Sequence, residues 1–123
     1  MKITLCRLII SAKITDKLYN YTGRIFIGEN IIKSTGLYPF EKIKIINCTT
    51  GKEFEFIVDV DQGNKITVCN GSSDNFVISD KILIHAFAEV TNSELNVFSL
   101  LDIKLDSNNI IIDSVKKELR ELI

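Results

Sequence analysis

The sequence predicts a mainly β domain, a small closed barrel with short helical inserts, and three observations point there. Between residues 53 and 61, Phe54, Phe56, Val58 and Val60 alternate with Glu53, Glu55, Ile57, Asp59 and Asp61, the period-two pattern of a half-buried strand. Further β-branched or apolar runs occupy 66–69 and 81–87, and between them stands Asn70-Gly71, a pair that tolerates positive φ. Helical periodicity is confined to two short stretches. At 123 residues the chain makes one domain, residues 1–123, long enough for its own core. Many short strands in so compact a length suggest a sheet closed on itself.

Taken in order, the first helical signal covers Glu29–Thr35. It places Ile31, Ile32 and Thr35 on roughly one face, has acidic Glu29 in its first turn and meets Gly36 as a stop. The single proline, Pro39, marks a turn after Leu37-Tyr38. Lys42 and Lys44 then alternate with Ile43 and Ile45, and Thr49-Thr50-Gly51-Lys52 supplies turn chemistry before the 53–61 strand, so a hairpin is predicted. Ile66-Thr67-Val68-Cys69 is the next strand, Asn70-Gly71-Ser72-Ser73 a tight turn, and 81–87 another strand. The last segment, 113–123, has apolar residues at 115, 119, 122 and 123. It is expected to form an amphipathic C-terminal helical tail that docks on a neighbouring subunit or covers its own sheet edge.

Composition excludes several classes of function. Fifteen basic against sixteen acidic side chains give a formal net charge of −1, which leaves no electrostatic footprint for nucleic acid or an anionic membrane. No apolar run approaches the roughly eighteen residues of a spanning helix. Charge interrupts the opening Met1-Lys2-Ile3-Thr4-Leu5-Cys6-Arg7, and no secretory cleavage site follows, so the expected location is cytoplasmic. Cys6, Cys48 and Cys69 are odd in number and widely spaced, which fits neither a disulfide framework nor a zinc set; buried free thiols are expected. The only histidine, His85, lies in an apolar strand-like run and is expected in a core or interface. No metal is predicted.

The chain carries a more specific signal in its motifs. Ala12-Lys13-Ile14-Thr15, Leu18 and Tyr21-Thr22-Gly23-Arg24-Ile25 come first, then Glu29 to Leu37 and Phe40-Glu41-Lys42-Ile43-Lys44-Ile45. They are followed by Asn47-Cys48-Thr49-Thr50-Gly51-Lys52-Glu53-Phe54, Asn70-Gly71-Ser72-Ser73, Ser79-Asp80-Lys81-Ile82-Leu83-Ile84 and Leu105-Asp106-Ser107-Asn108-Asn109-Ile110. In order and spacing they resemble the pyruvoyl-dependent aspartate 1-decarboxylase family. The resemblance implies a double-psi β-barrel, assembled as a homotetramer with active sites between subunits. In that family a Gly-Ser bond cuts itself and the serine becomes the pyruvoyl group that receives the electrons of decarboxylation.

Departures from the family pattern cluster where its chemistry is done. Arg24 stands where the self-processing serine is expected, so no hydroxyl attacks the preceding carbonyl and no pyruvoyl cofactor is expected there. Leu8 and Ile10 replace a lysine and a histidine of the first strand, Glu53 a carboxylate-holding arginine, and Ile57 a proton-donating tyrosine. Tyr21, Gly23, Asn70 and Gly71 survive. Aspartate has two carboxylates, and Glu53 repels what an arginine would hold. If family geometry holds, Arg24 and Glu53 come close, pair and fill the old pocket; a desolvated Arg24 can also serve a different acidic ligand.

Two functions follow as expectations. In the first, the chain is a non-processing homologue, without catalytic residues, that binds a small acidic ligand or a protein partner through the altered pocket of Tyr21, Gly23, Arg24, Glu53, Asn70 and Gly71. In the second it is an enzyme. It is then either a carboxy-lyase converting L-aspartate to β-alanine and CO2 for pantothenate biosynthesis, or a repurposed catalyst using Tyr21, Cys6 or Ser11. Decarboxylation needs an electron sink that no ordinary side chain supplies, which favours the first. Self-cleavage moved to Gly71-Ser72 would rescue the second, whereas Thr22 would attack the Tyr21 carbonyl, a bond the family does not cut.

Overall fold

The computed structural model describes residues 1–20, 22–69 and 75–123. Its strands are β1 (Lys2–Lys13), β2 (Asp16–Leu18), β3 (Arg24–Gly28), β4 (Lys42–Asn47), β5 (Glu53–Asp61), β6 (Ile66–Cys69), β7 (Lys81–Thr91), β8 (Ser99–Leu105) and β9 (Ile111–Glu118). Among the described residues one helix, α1 (Glu29–Thr35), follows β3, and 3₁₀ turns lie at Asn92–Val97 and Leu119–Glu121. The strands form one nine-stranded sheet in the order β2-β6-β3-β5-β4-β7-β1-β8-β9. Three pairings are parallel, β1 with β8, β2 with β6 and β3 with β5, and the others are antiparallel.

The ends of that order are joined by the chain itself. β1 lies near one end and β2 at the other, and only Ile14-Thr15 separates them, so the sheet must curl. Thr15 pins the join: its amide donates to the Ile66 carbonyl at 2.9 Å and its hydroxyl accepts from the Ile66 amide at 2.9 Å. The architecture is the mainly β double-psi barrel that the motifs imply.

Inward-facing residues of successive strands fill one core. Leu8, Ile10, Ile25, Ile27, Ile43, Ile45, Val58, Ile82 and Ile84 are all buried in it. The predicted hairpin is β4–β5, with Ile43 opposite Phe56 and Ile45 opposite Phe54. Phe54 packs on Phe76 with ring centroids 4.9 Å apart. Val60, expected on the inner face, is exposed, although its partner on β3, Ile27, is buried.

The predicted helix α1 ends at Gly36, whose φ of 84° turns the chain while its amide closes on the Ile32 carbonyl. Its entry depends on Gly28. A Cβ at Gly28 would collide with the Gly63 carbonyl oxygen and come within 2.9 Å of the Lys65 amide nitrogen. Only a glycine lets β3 pass so close to the β5–β6 connection.

Three expectations need correction. The tail is not helical: Ile111–Glu118 is strand β9, antiparallel to β8, and only Leu119–Glu121 turns as 3₁₀. Pairing with β8 satisfies backbone groups that an isolated tail helix would satisfy internally, and it covers what would otherwise be an open edge. Cys48 is exposed, and only Cys69 of the three free thiols is buried. For His85 only the core half of the expectation is overturned: it is half-buried on the outer face of β7, edge-on to Phe87 with centroids 6.4 Å apart, because it falls on the alternate parity to core residues Ile84 and Ala86.

Candidate functional site

The Gly23–Arg24 bond lies where the chain enters β3. Parallel pairing sets Arg24 beside Ile57 of β5, and the Ile57 amide donates to the Gly23 carbonyl at 3.0 Å. The Arg24 amide in turn donates to the Thr22 hydroxyl at 3.3 Å. Gly23 has a φ of 72°, which gives the turn into the strand. Both polar groups of this peptide bond therefore have protein partners.

The Arg24 guanidinium points along β5 in the other direction from Glu53. Its Nη1 is 3.3 Å from Asp59 Oδ2. Glu53 stands four residues upstream of Ile57, roughly 13 Å along an extended strand, and its carboxylate is 3.7 Å from Lys44 Nζ instead. The expected Arg24–Glu53 pair is thus absent within the chain; register separates the two residues. Each has a half-buried partner of its own.

The other positions divide between inside and outside. Leu8 and Ile10, 1% and 0% exposed, belong to the inner face of β1 and to the core. Ile57, 45% exposed, is on the outer side of β5 and does not meet them. Gly23, Arg24 and Ile57 are brought together; Leu8, Ile10 and Glu53 are elsewhere. Tyr21, Asn70 and Gly71, with Ser72 and Ser73, lie outside the described residues.

Of the alternative nucleophiles, Cys6 is not activated by its surroundings. Burial pushes the Cys6 thiol up from its ordinary value, and its Sγ–H donates to the Leu8 carbonyl at 3.5 Å. Ser11 faces outward from β1 opposite Leu83 and Lys104. Among the described residues, no three His, Cys, Asp or Glu side chains converge as metal ligands. No helix there is long and apolar enough to cross a membrane.

The arrangement of motifs has a counterpart in known proteins. The family model described as aspartate decarboxylase matches residues 1–112. The chain belongs to the aspartate decarboxylase family. It is 30% identical over 109 residues to the aspartate 1-decarboxylase of Caldicellulosiruptor bescii, covering 87% of this chain and 85% of that one. The aspartate 1-decarboxylase of Campylobacter jejuni is 28% identical over 111 residues, with 89% and 88% covered, and that of Stenotrophomonas maltophilia 32% over 100 residues, with 80% and 79% covered.

Two asparagines of the family-like motifs, Asn47 and Asn109, are internal braces of this family member. Asn47, 0% exposed, donates from Nδ2 to the Asn75 carbonyl and to Asp80 Oδ2 while its Oδ1 accepts from the Thr49 amide. Asn109 accepts from the Lys13 amide and donates to the carbonyls of Lys13 and Asn64. Their position in the Asn47 to Gly51 and Asp106 to Asn109 turns was the available signal, since buried amides need several partners at once.

Proposed function

We propose that this aspartate decarboxylase family member does not process itself at the Gly23–Arg24 bond and acts as a ligand- or partner-binding protein. Arg24 itself carries the argument. A pyruvoyl group is made from a side chain whose hydroxyl attacks the preceding carbonyl, and a guanidinium offers neither that oxygen nor a group to eliminate. The residues present at the bond do not fit the cofactor, so no chemical step is assigned to it. A small acidic ligand or a protein partner at Arg24, in a cytoplasmic homotetramer of the kind the family resemblance implies, is the reading adopted.

The names of the relatives favour the second reading, decarboxylation of L-aspartate to β-alanine and CO2 for pantothenate synthesis. It requires a carbonyl made elsewhere, with Gly71-Ser72 as the candidate bond. Intact mass of the denatured chain decides between them. One species at 13.9 kDa supports the non-processing reading. Two fragments, the C-terminal one blocked at its N-terminus by a carbonyl, overturn it.

A further inference from the structure

On the outer face of the barrel, away from Arg24, strand register gathers positive charge. Lys13 of β1 lies directly opposite Lys81 of β7, and Ser11 of β1 lies beside Lys104 of β8. Residues opposite one another share a face, so the alternation that buries Ala12, Ile82 and Ile103 sends all three lysines outward. Like charges directly opposite oppose folding. Among the described residues none of the three lysines has a carboxylate in ion-pair range.

The same three side chains line one cavity of about 390 Å³. That volume falls within the range of small-molecule sites. Ser11 and Ser107 add hydroxyls, and Leu83 and Ile112 give it apolar walls. Cys48 lines it as well, held there by its amide donating to the Lys81 carbonyl at 2.9 Å. The single carboxylate in the lining, Asp106, is occupied by its own turn, with Oδ1 accepting from the amides of Asn108 and Ile110 at 2.8 and 3.0 Å. Three cations face one carboxylate across a concave, partly apolar surface.

We propose that this cavity is a binding site for a small dianion with a short apolar body, the chemistry shared by dicarboxylates and organic phosphates. The anion relieves the Lys13–Lys81 repulsion, Lys104 engages its second charge, and the apolar walls take its body. The site stands apart from the Gly23–Arg24 bond and is independent of whether processing occurs.

Calorimetric titration of the full chain with succinate and with phenyl phosphate tests this, with acetate at matched ionic strength as the monoanion. Saturable binding of at least one dianion is expected, with acetate weaker by about tenfold. Lys81→Gln and Lys104→Gln should each weaken binding by about three- to tenfold, while Lys33→Gln on α1 leaves it unchanged. Preference between the two probes separates a carboxylate ligand from a phosphate one. Lys81→Gln should also raise the ligand-free Tm, because it removes the like-charge pair. Alkylation of Cys48, followed by mass, should slow severalfold when the dianion is bound. Absence of saturable binding by both probes, an unprotected Cys48, or equal loss in Lys33→Gln would overturn the assignment.

Discussion

The Gly23 carbonyl accepts a hydrogen bond from the Ile57 amide at 3.0 Å, and this contact places the first residue of β3 in register with the middle of β5. The Gly23–Arg24 bond is thus built into a parallel pairing of the barrel, and the guanidinium of the arginine after it reaches Asp59.

Arg24→Ser restores a hydroxyl but not the groups around it. Leu8, Ile10 and Ile57 offer no acid or base, and Leu8 and Ile10 face the core. The variant is expected to remain a single chain by intact mass after prolonged incubation and to make no β-alanine from aspartate. Fragments, or β-alanine, would show that the scaffold needs only the serine.

Leu8→Lys would put on β1 the charge that the resemblance implies there and should be strongly destabilising. Leu8 is 1% exposed inside an aliphatic cluster, so an ammonium there loses its water without a partner. A destabilisation of about 3 kcal/mol or more is expected in denaturant unfolding. A stable variant would mean that β1 can turn this position outward.

Gly28→Ala and Gly23→Ala separate two uses of glycine. The new methyl at Gly28 meets the Gly63 carbonyl and the Lys65 amide, so a loss of about 3 kcal/mol is expected. At Gly23 a Cβ finds nothing within 4 Å, and only the φ of 72° resists it, for about 1 kcal/mol. Equal melting temperatures for the two variants would contradict the close approach.

Glu53→Gln removes an exposed pairing with Lys44 at 3.7 Å and should change stability by less than about 1 kcal/mol. A larger loss would indicate that Glu53 meets a second partner, such as Arg24 of another subunit.

His85 links stability to pH. Partial burial and the neighbouring Lys44 lower its pKa from the ordinary 6.5, against the weaker opposing pull of Glu53 and Asp102. The unfolded chain therefore binds the proton more readily. Above about pH 6.5 the residue is neutral in both states and contributes nothing; as pH falls below that value the native state loses stability until the folded pKa is passed. His85→Gln should flatten the decline in Tm over that acidic window, and an unchanged profile would assign the decline to carboxylates.

Local alternation and turn chemistry made the hairpin, α1 with its Gly36 stop, and the strands at 66–69 and 81–87 legible, because each depends on neighbours a few residues apart. The tail differs because Val115 and Leu119 satisfy a helical spacing, while the pairing that wins is a hairpin with the preceding strand β8, Val115 opposite Asp102 and Glu118 opposite Ser99. Arg24 and Glu53 were matched by charge, yet register fixes Arg24 at Ile57 and leaves Glu53 to Lys44.

Residue identity alone therefore points to the family and puts an arginine at residue 24, since motifs and functional groups are properties of the chain. Which charges meet, that Leu8 and Ile10 are sealed in the core, and that Lys13, Lys81 and Lys104 share a cavity are decided by strand order. The physical reason is that a one-residue change of register moves a side chain to the opposite face, and register is set by backbone pairing between segments far apart in sequence.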